Sequence, residues 1–354
     1  MKKILLIICL FVSVVSIAAT LTSQNSGNWN AGSTWDTGNV PTDADDVIIA
    51  SGHTVNVLNS NGVAETVTVN SGGKLRIYQS LVIDNTSANN GTMNVNTGGT
   101  FTLSDGDFTN TGTLSIAKGR SMSMADATTL NNSGSIILTS DSNEYARLKL
   151  NGTYNQTGSG NVTYGRFVTG VSANWDLIGS PTTNTDAADF ISANGDIAQS
   201  GSDYGIGPYN NNNNTWTTWS NGDAISNGVL TTGKGYQMAA SGSSGAAMEF
   251  TGGINAGSVS VSVVNNDALN SGSGTRFNLL ANPYPSFINV NSNAGTNNLI
   301  GTNGSSGNSV MMSGAFNCIY AWGGSSYTTI NQASGAAYMA PGQGFMMAAE
   351  STSN

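Results

Sequence analysis

The sequence has 354 residues, of which only 9% are charged, and its formal net charge is −9 at pH 7. Such a chain is a poor ligand for nucleic acids and anionic membrane surfaces, because both are bound through clustered Lys and Arg side chains. Val, Ile, Thr, Trp and Tyr recur in short alternating runs, which are typical of β-strands and not of disordered chains. The composition therefore predicts an ordered, all-β protein that does not bind nucleic acid.

The first 19 residues have the three parts of a secretory signal peptide. Lys2 and Lys3 form a positive start, residues 4–15 are an almost unbroken apolar run, and Ala18 and Ala19 supply small residues for cleavage. The run is too short to cross a hydrocarbon layer of ~30 Å, so we predict no transmembrane segment in the mature chain. Removal of the signal leaves nine basic against 20 acidic residues, a net charge of −11. The predicted location is extracellular or on the outer cell surface.

Short strand-like segments recur along residues 20–154, and most are followed by a turn that contains Gly. Residues 47–53 match residues 67–73 at an offset of 20. Residues 108–112 match residues 130–134 at an offset of 22. A second series aligns four segments by their alternating apolar residues: 66–69, 92–95, 113–116 and 135–138.

A period near 20 residues with β-type alternation predicts a solenoid, in which each coil stacks on the last. We expect a right-handed β-solenoid of about five coils, with Gly and Asn at corners where positive φ is required. A meander of hairpins in a β-sandwich is the alternative, but hairpins need no fixed period. Uncovered end strands would pair with another copy. We therefore expect residues 27–40 to cap one end and the segment after residue 155 to cap the other.

The second half of the chain contains a duplication. Residues 175–181 align with 277–283 at an offset of 102, and residues 233–238 align with 342–347 at an offset of 109. Between these motifs, each copy has an aromatic residue, a polar turn and a second aromatic strand, at residues 209–219 and 320–330. We predict four units: a signal peptide at 1–19, a solenoid with its cap at 20–154, and two related β-sandwich-like modules at 155–255 and 256–354.

Two groups of motifs resemble secreted proteins of the Bacteroidota. Gly27-Asn-Trp29, Ser33-Thr-Trp35 and Ser51-Gly-His-Thr-Val55 resemble the opening of G8-like β-helical domains. Asn282-Pro-Tyr-Pro285 and Pro341-Gly-Gln-Gly344 resemble the paired β modules that often follow. In that family the modules precede a C-terminal signal for type IX secretion, so the resemblance implies a surface location and an adhesin-like role. The sequence ends without this signal, and we expect either a truncated second module or another route of export.

No catalytic constellation is recognisable in the sequence, and we predict no catalytic residues. His53 is the only histidine, and it aligns with Gly73 at a predicted corner, which favours a role in the turn. Two acidic clusters are candidates for Ca²⁺, which takes six to eight oxygen ligands, although neither has the spacing of known calcium loops. A solvated loop is the alternative for both, and no other cofactor is expected. The clusters are Asp43, Asp45 and Asp46, and Asp105 and Asp107.

Three tryptophans are candidates for carbohydrate binding: Trp216, Trp219 and Trp322. Sugars stack their apolar C–H faces on exposed aromatic rings, whose electron-rich faces attract such groups. Trp216 and Trp219 follow a run of asparagines, which favours a position near a loop. Burial in the core is the alternative interpretation for all three.

These features together predict a non-enzymatic extracellular or cell-surface protein, structural and adhesin-like, with the capacity to assemble into fibres. Its expected partners are an extracellular glycan, a surface protein or another copy of the chain. The first alternative is the carbohydrate-binding module of a secreted glycan-processing system. The second is a β-helical polysaccharide lyase, for which the coils offer these basic residues: Lys74, Arg76, Lys118, Arg120, Arg147 and Lys149.

Overall fold

A computed structural model describes residues 18–170, 175–220, 222, 228–268, 272–301 and 307–351. The protein is nearly all-β, with 43% strand and 6% helix. Residues 1–17, which hold almost all of the predicted signal peptide, lie outside the described residues. Within the described ranges, no helix is long and apolar enough to span a membrane.

The N-terminal half is a β-solenoid of about five turns with three faces. Each turn contributes one strand to each face, and neighbouring turns pair in parallel. Face A consists of β1 (Thr20–Thr22), β3 (Asp46–Ile49), β6 (Thr66–Val69), β9 (Ser87–Asn89), β12 (Phe108–Asn110), β15 (Thr129–Asn132) and β18 (Thr153–Gln156). Face B consists of β2 (Gly27–Asn28), β4 (Thr54–Val57), β7 (Lys74–Ile77), β10 (Thr92–Val95), β13 (Thr113–Ile116), β16 (Ser135–Leu138), β19 (Asn161–Val168) and β27 (Ala246–Gly252). Face C consists of β5 (Gly62–Ala64), β8 (Ser80–Ile83), β11 (Thr100–Leu103), β14 (Ser121–Met124) and β17 (Arg147–Leu150).

The alternating sequence explains the packing of the coils. Successive side chains of a strand point to opposite sides, so in β6 Val67 and Val69 are buried while the alternating threonines lie outside. The corners require left-handed backbone, which glycine adopts without a steric penalty. Gly72 and Gly98, for example, have φ values of +80° and +91°. The predicted solenoid of about five coils is therefore confirmed.

One predicted alignment groups strands that lie on different faces of the solenoid. Asp46 pairs with Thr66 on face A, which confirms the offset of 20. Thr92, however, pairs with Lys74 on face B and not with a residue of the Thr66 strand. All three faces share the same apolar–polar alternation, so the pattern identifies a strand without identifying its face.

Three buried asparagines form a ladder inside the solenoid along face A. Asn89 Nδ2 donates to Asn110 Oδ1, and Asn110 Nδ2 donates to Asn132 Oδ1, each at 2.8 Å. Asn132 Nδ2 continues the ladder to the Tyr154 hydroxyl at 3.3 Å. Val69 pairs with Asn89 and so occupies the same position one turn earlier. The ladder therefore begins where the apolar side chains at this position end. Each amide has partners, which removes the cost of burying a polar group.

Two tryptophans close the N-terminal end of the solenoid core. Trp29 and Trp35 are fully buried, and their rings meet edge to face with centroids 5.3 Å apart. Trp35 Nε1 donates to the Trp29 carbonyl oxygen at 2.8 Å. A Cβ placed on Gly62, in the first strand of face C, would lie 3.3 Å from the Trp29 ring. Both tryptophans belong to residues 27–40, the segment that the sequence predicts as the cap.

The C-terminal end of the solenoid is closed by the second half of the chain. On face B, β19 pairs in parallel with β16 and antiparallel with β27. On face C, the Leu148 N–H of the last strand donates to the Pro285 carbonyl oxygen at 2.8 Å. The boundary predicted between residues 154 and 155 falls within β18, because the sheets continue from the solenoid into the next unit.

The described residues of the second half form two small sheets, short hairpins and an α-helix. The first sheet has the order β20 (Asp176–Ile178), β26 (Tyr236–Met238), β23 (Ile206–Gly207). The second has the order β28 (Phe277–Ala281), β33 (Gly344–Ala348), β30 (Ile319–Trp322), β31 (Tyr327–Ile330). Three two-stranded pairs accompany them: β21 (Gln199–Ser200) with β22 (Asp203–Tyr204), β24 (Tyr209–Asn210) with β25 (Thr215–Trp216), and β29 (Ile288–Asn289) with β32 (Tyr338–Met339). The helix is α1 (Ala187–Ala193), and short 3₁₀ turns lie at Gly32–Thr34, Asn308–Met311 and Gly314–Phe316.

The registers of the two small sheets confirm the duplication. Asp176 pairs with Met238 in the first sheet, and Asn278 pairs with Met347 in the second. These residues correspond at the offsets of 102 and 109 found in the sequence. The strand order of the first sheet recurs in the first three strands of the second. The two halves of the duplication therefore fold in the same way.

Candidate functional site

The two modules bind each other through the residues that their duplication shares. The Gly179 N–H donates to the Gly342 carbonyl oxygen at 3.0 Å, and the equivalent Ala281 N–H donates to the Gly233 carbonyl oxygen at 2.8 Å. Gly233 and Gly342 have φ values of +75° and +63°, a conformation that disfavours other residues. The contact is therefore reciprocal, as if a two-fold axis ran between the modules.

A second glycine in each motif lets the modules approach closely. A Cβ on Gly235 would lie 2.6 Å from Leu279 Cγ of the second module. A Cβ on the equivalent Gly344 would lie 2.6 Å from the carbonyl carbon of Leu177 in the first module. Both distances are too short for any side chain, so the Gly-x-Gly pattern follows from this interface.

Asn282 organises the turn of the Asn-Pro-Tyr-Pro motif. Its buried Nδ2 donates to the carbonyl oxygens of Ser286 at 2.8 Å, Met339 at 3.1 Å and Ala340 at 3.0 Å. Its Oδ1 accepts the Tyr284 N–H at 3.0 Å. The motif therefore joins the turn that contacts the solenoid to the strand that precedes the Pro341–Gly344 segment.

Arg166 lies at the junction of the solenoid and the modules. Its side chain is only 7% exposed, and its Nε has no hydrogen-bond partner among the described residues. The guanidinium donates to the Phe167 carbonyl oxygen and lies 4.9 Å from the centroid of the Tyr145 ring. Tyr145 in turn meets Phe287 of the second module edge to face, with centroids 6.1 Å apart. A cation–π contact thus holds the last coil against the modules.

A small apolar core with an aromatic border lies between the modules. Leu177 and Leu279, which are equivalent in the duplication, pack together with Met346. Partly buried aromatic residues surround them: Tyr209, Phe277, Tyr320 and Trp322. Each module contributes to this border, so it exists only in the paired arrangement.

Each module also carries a hairpin with a pair of aromatic rings that contact each other at a tilt. In the first hairpin Tyr209 and Trp216 have ring centroids 4.8 Å apart. In the second Trp322 and Tyr327 also have ring centroids 4.8 Å apart. Tyr209 directly follows Pro208 after β23, and Trp322 ends β30, and these two strands occupy equivalent places in their sheets. We call these four side chains the paired aromatic hairpins.

The paired aromatic hairpins combine fixed rings with exposed rings. The Tyr209 hydroxyl donates to Asn214 Oδ1 at 2.7 Å, and Trp322 Nε1 donates to the Trp175 carbonyl oxygen at 2.7 Å. Trp216 and Tyr327 remain 40% and 43% exposed. Tyr209 and Trp322, one from each hairpin, both pack against the core of Leu177, Leu279 and Met346. The two hairpins are therefore neighbours on one surface.

The three candidate tryptophans differ in their exposure to solvent. Trp216 is exposed and Trp322 is partly buried, but Trp219 is only 7% exposed. The Trp219 ring packs on Tyr236 with centroids 5.4 Å apart, in the core of the first module. Its interpretation as an exposed residue is wrong, because the chain after the hairpin turns back over the sheet. Tyr327 was missed by the sequence analysis, although the duplication of the aromatic–turn–aromatic pattern marks its position.

The acidic candidates for Ca²⁺ mostly have hydrogen-bond partners within the protein. Asp45 is buried and accepts hydrogen bonds from the Ala19 N–H and from both the N–H and the hydroxyl of Thr42. The hydroxyl of Thr66 donates to Asp46. In the second cluster, Asp105 Oδ1 accepts the Gly106 N–H and Asp107 Oδ1 accepts the Thr129 N–H. Asp43 is exposed. The described part of the chain contains no group of three or more His, Cys, Asp or Glu side chains that could hold a metal ion.

The remaining candidates lie at separate places in the solenoid. His53 lies at a corner, where its Nδ1 is 3.0 Å from Ser23 Oγ. Among the basic residues, Lys118 pairs with Asp141 and lowers the pKa of that carboxyl to about 2. The other basic candidates lie on different faces or at corners: Lys74 and Arg76 on face B, Arg147 and Lys149 on face C, and Arg120 beside Glu144.

A shallow depression of about 200 Å³ lies on face B, lined by Asn94, Asn96, Ser115, Ile137 and Thr139 among others. Its side chains are amides, hydroxyls and short apolar groups from successive coils. It has no aromatic ring, and it is separate from the paired aromatic hairpins.

The fold and this surface define a class of protein: a β-solenoid closed at one end by a duplicated, paired β module. The chain belongs to the family described as a domain of unknown function, DUF8693, whose profile matches residues 106–354. The matched region begins within the solenoid and includes its last coils together with both modules. Comparison with curated proteins and with solved structures finds no match.

Proposed function

We propose that this chain is a non-enzymatic, exported structural protein that acts as an adhesin at the cell surface or outside the cell. The solenoid serves as a stiff support, and the paired modules present the contact surface. The observation that carries this proposal is the continuity of the hydrogen-bonded sheets from the solenoid into the modules. On face B the sheet runs from β2 to β27 across both parts, so a force on the modules is transmitted to the rod.

The closed edges favour a single rod over a fibre. Unpaired strands at a sheet edge would recruit another copy. Here β27 is covered by the Asn194 side chain, which accepts the Glu249 N–H at 2.8 Å and donates to the Glu249 carbonyl oxygen at 3.1 Å. The last strand of face C is covered through Leu148 and Pro285, and tryptophans close the other end. Partners other than the chain itself, either a glycan or a surface protein, are therefore favoured.

Export to the outside of the cell is supported by the signal-like pattern of residues 1–19 and by the resemblance to secreted Bacteroidota proteins. Proteinase treatment of intact cells that produce the chain tests this location. We expect the chain to be degraded while a cytoplasmic marker stays intact. Protection of the chain in intact cells, with degradation only after lysis, would contradict a surface location.

Electron microscopy and light scattering of the purified mature chain test the structural role. We expect single particles with the mass of one chain, and regular fibres would show that the closed ends do not prevent assembly.

Beads coated with the chain should adhere to cells or extracellular matrix above the level of uncoated beads. A panel of acidic and neutral polysaccharides, with and without Ca²⁺, should yield no unsaturated uronates and no new reducing ends. Products from any substrate would overturn the non-enzymatic role.

A further inference from the structure

Both modules have a pair of aromatic rings in contact, and one ring of each pair is exposed. The rings differ in order, with Tyr209 before Trp216 in the first hairpin and Trp322 before Tyr327 in the second. The distance between the ring centroids is nevertheless the same in both pairs. Both pairs also lie beside the core formed by the equivalent leucines. Large rings at a surface expose apolar area to water, which is unfavourable unless a ligand covers it. Their presence in both copies points to a shared role in binding.

The two hairpin segments themselves contain no charged residue, and the nearby Asp267 and Arg276 form an ion pair with each other. The protein carries 31 Asp, Glu, Lys and Arg residues, yet none lies within residues 205–219 or 319–349, which include both hairpins. The turns contain amides and hydroxyls instead, for example Asn213, Thr215 and Ser326. An acidic polysaccharide or a nucleic acid would require cations here. Uncharged hydrogen-bonding groups beside flat rings are matched to a ligand that is itself uncharged and rich in hydroxyls.

The rings are also held in place before any ligand arrives. The Tyr209 hydroxyl and the Trp322 indole N–H are both hydrogen-bonded within the protein. Thr215 Oγ1 donates to Asn213 Oδ1 at 2.7 Å, which fixes the turn next to Trp216. A preorganised surface loses less conformational entropy on binding than a mobile one. The C–H faces of sugar rings can therefore stack on Trp216 and Tyr327 without rearrangement of the hairpins.

We propose that the paired aromatic hairpins form one site that binds a neutral polysaccharide at two points along the same chain. The proposal rests on the adhesin-like role proposed above and names its ligand as a glycan. Each hairpin contributes a stacking ring, Trp216 or Tyr327, supported by its partner, Tyr209 or Trp322. Two linked contacts on one polymer raise the apparent affinity well above that of either contact. The pairing of the modules is what places both contacts on one surface.

Depletion binding of the purified full chain to insoluble cellulose, chitin and mannan tests the site, with polygalacturonate beads as the acidic comparison. Wild-type protein should bind at least one neutral polymer and should not bind polygalacturonate. Trp216→Ala and Tyr327→Ala should each raise the dissociation constant about tenfold, and the double variant should raise it about a hundredfold or more. Tyr338→Ala is the matched control, since Tyr338 is 52% exposed but lies outside the paired aromatic hairpins. Circular dichroism confirms that each variant is folded.

Three results would overturn the proposal. Failure of the wild type to bind every neutral polymer would exclude a neutral glycan as the ligand. Binding to polygalacturonate alone would show that the ligand is acidic. Binding that the double variant retains would place the site elsewhere on the molecule. Bead adhesion, measured in parallel, distinguishes the failure of the glycan proposal from the failure of the adhesin-like role. Adhesion without glycan binding would support the adhesin-like role and indicate a protein partner.

Discussion

The solenoid and the paired modules are both held together by contacts between β-strands, but these contacts span different distances along the chain. In the solenoid each strand pairs with strands about 20 residues away, as Asp46 does with Thr66. In the modules the reciprocal contacts join residues further apart, from 48 positions between Gly233 and Ala281 to 163 positions between Gly179 and Gly342. In the solenoid, repetition therefore distributes stability over many similar contacts. Duplication followed by pairing concentrates it in a few reciprocal contacts.

This comparison makes different predictions for the two regions. A solenoid behaves as a nearly one-dimensional stack, in which each coil is stabilised by its neighbours and the ends are the weakest points. The paired modules lack such repetition, so a change on one side of their interface should weaken both modules together.

The largest expected effect is at the N-terminal cap. Trp35→Ala removes a fully buried ring from the end of the stack and should lower the free energy of unfolding by about 3–5 kcal/mol. Chemical denaturation followed by circular dichroism measures this loss. Trp216→Ala is the control, because that ring is 40% exposed and should cost less than about 1 kcal/mol. Equal losses for the two variants would show that the cap does not stabilise the solenoid.

A somewhat smaller effect is expected at the interface of the modules. Leu177→Ala and Leu279→Ala should each lower the free energy of unfolding by about 2–4 kcal/mol, because both leucines are buried in the same small core. Leu58→Ala is a matched control at an exposed position.

The double variant of these leucines sharpens the comparison. Since they share one core, the two losses should depart from additivity by at least about 0.5 kcal/mol. Denaturation of the single and double variants gives this coupling energy. Strict additivity would mean that the modules fold as independent units, which the reciprocal hydrogen bonds do not predict.

The Asn ladder should show a moderate and local effect. Asn110→Ala removes the side-chain partner of Asn89 Nδ2 and of Asn132 Oδ1 inside the solenoid and should cost about 1–3 kcal/mol. Asn131→Ala, in the neighbouring strand β15 but with its side chain outside, should change stability by less than about 0.5 kcal/mol. Hydrogen exchange should show that the loss is greatest in the neighbouring coils. Uniform loss over the whole chain would contradict a one-dimensional stack.

The smallest effect concerns the charge of Asp45 beneath the N-terminal cap. Burial alone would raise its pKa, but hydrogen bonds from Thr42 and Ala19 lower it below the ordinary value of 3.8. A lowered pKa stabilises the fold above pH 3.8 and loses this contribution as the pH falls through the folded-state pKa. Asp45→Asn should therefore lower stability at pH 7, and its difference from the wild type should shrink as the pH falls through the folded-state pKa.

Urea denaturation at several pH values measures the difference between the wild type and Asp45→Asn. Asp43→Asn provides the control, since Asp43 is exposed in the same loop. A gap that stays constant with pH would show that the charge of Asp45 does not contribute to stability.

The contact between Ala19 and Asp45 also distinguishes the two predicted cleavage sites. The Ala19 nitrogen lies 3.0 Å from Asp45 Oδ1. Cleavage after Ala18 would turn this nitrogen into an ammonium group that pairs with the carboxylate, whereas cleavage after Ala19 would remove it. We expect the mature chain to begin at Ala19, which mass spectrometry of the N-terminal peptide can check. A chain that begins at Thr20 would contradict this expectation.

The sequence predicts the solenoid well because its physical requirements are local. Apolar alternation and left-handed corners leave a pattern that repeats with the coil, as between Asp46 and Thr66. The face of each strand was harder to predict, because the Thr66 and Thr92 strands have the same alternation but lie on different faces.

The candidate site was predicted only in part, because exposure depends on contacts between distant segments. Trp216 and Trp219 are three residues apart and look alike in sequence, but only Trp219 packs on Tyr236 of another strand. The duplication predicts two equivalent hairpins, and it contains no information on whether they share a surface. Their proximity depends on the reciprocal pairing through Gly233 and Gly342, which no periodicity reveals.

The parallel register of the solenoid makes its length adjustable in fixed steps. One coil spans the 21 residues from Thr92 to Thr113, and each coil contacts only its neighbours. A tandem copy of such a segment would add about 4.8 Å to the rod and leave the structures at both ends unchanged. Unequal recombination within the repeats could therefore set how far the modules stand from the base of the rod. The distance of the modules from the base of the rod would then change with the number of coils, independently of what the modules bind.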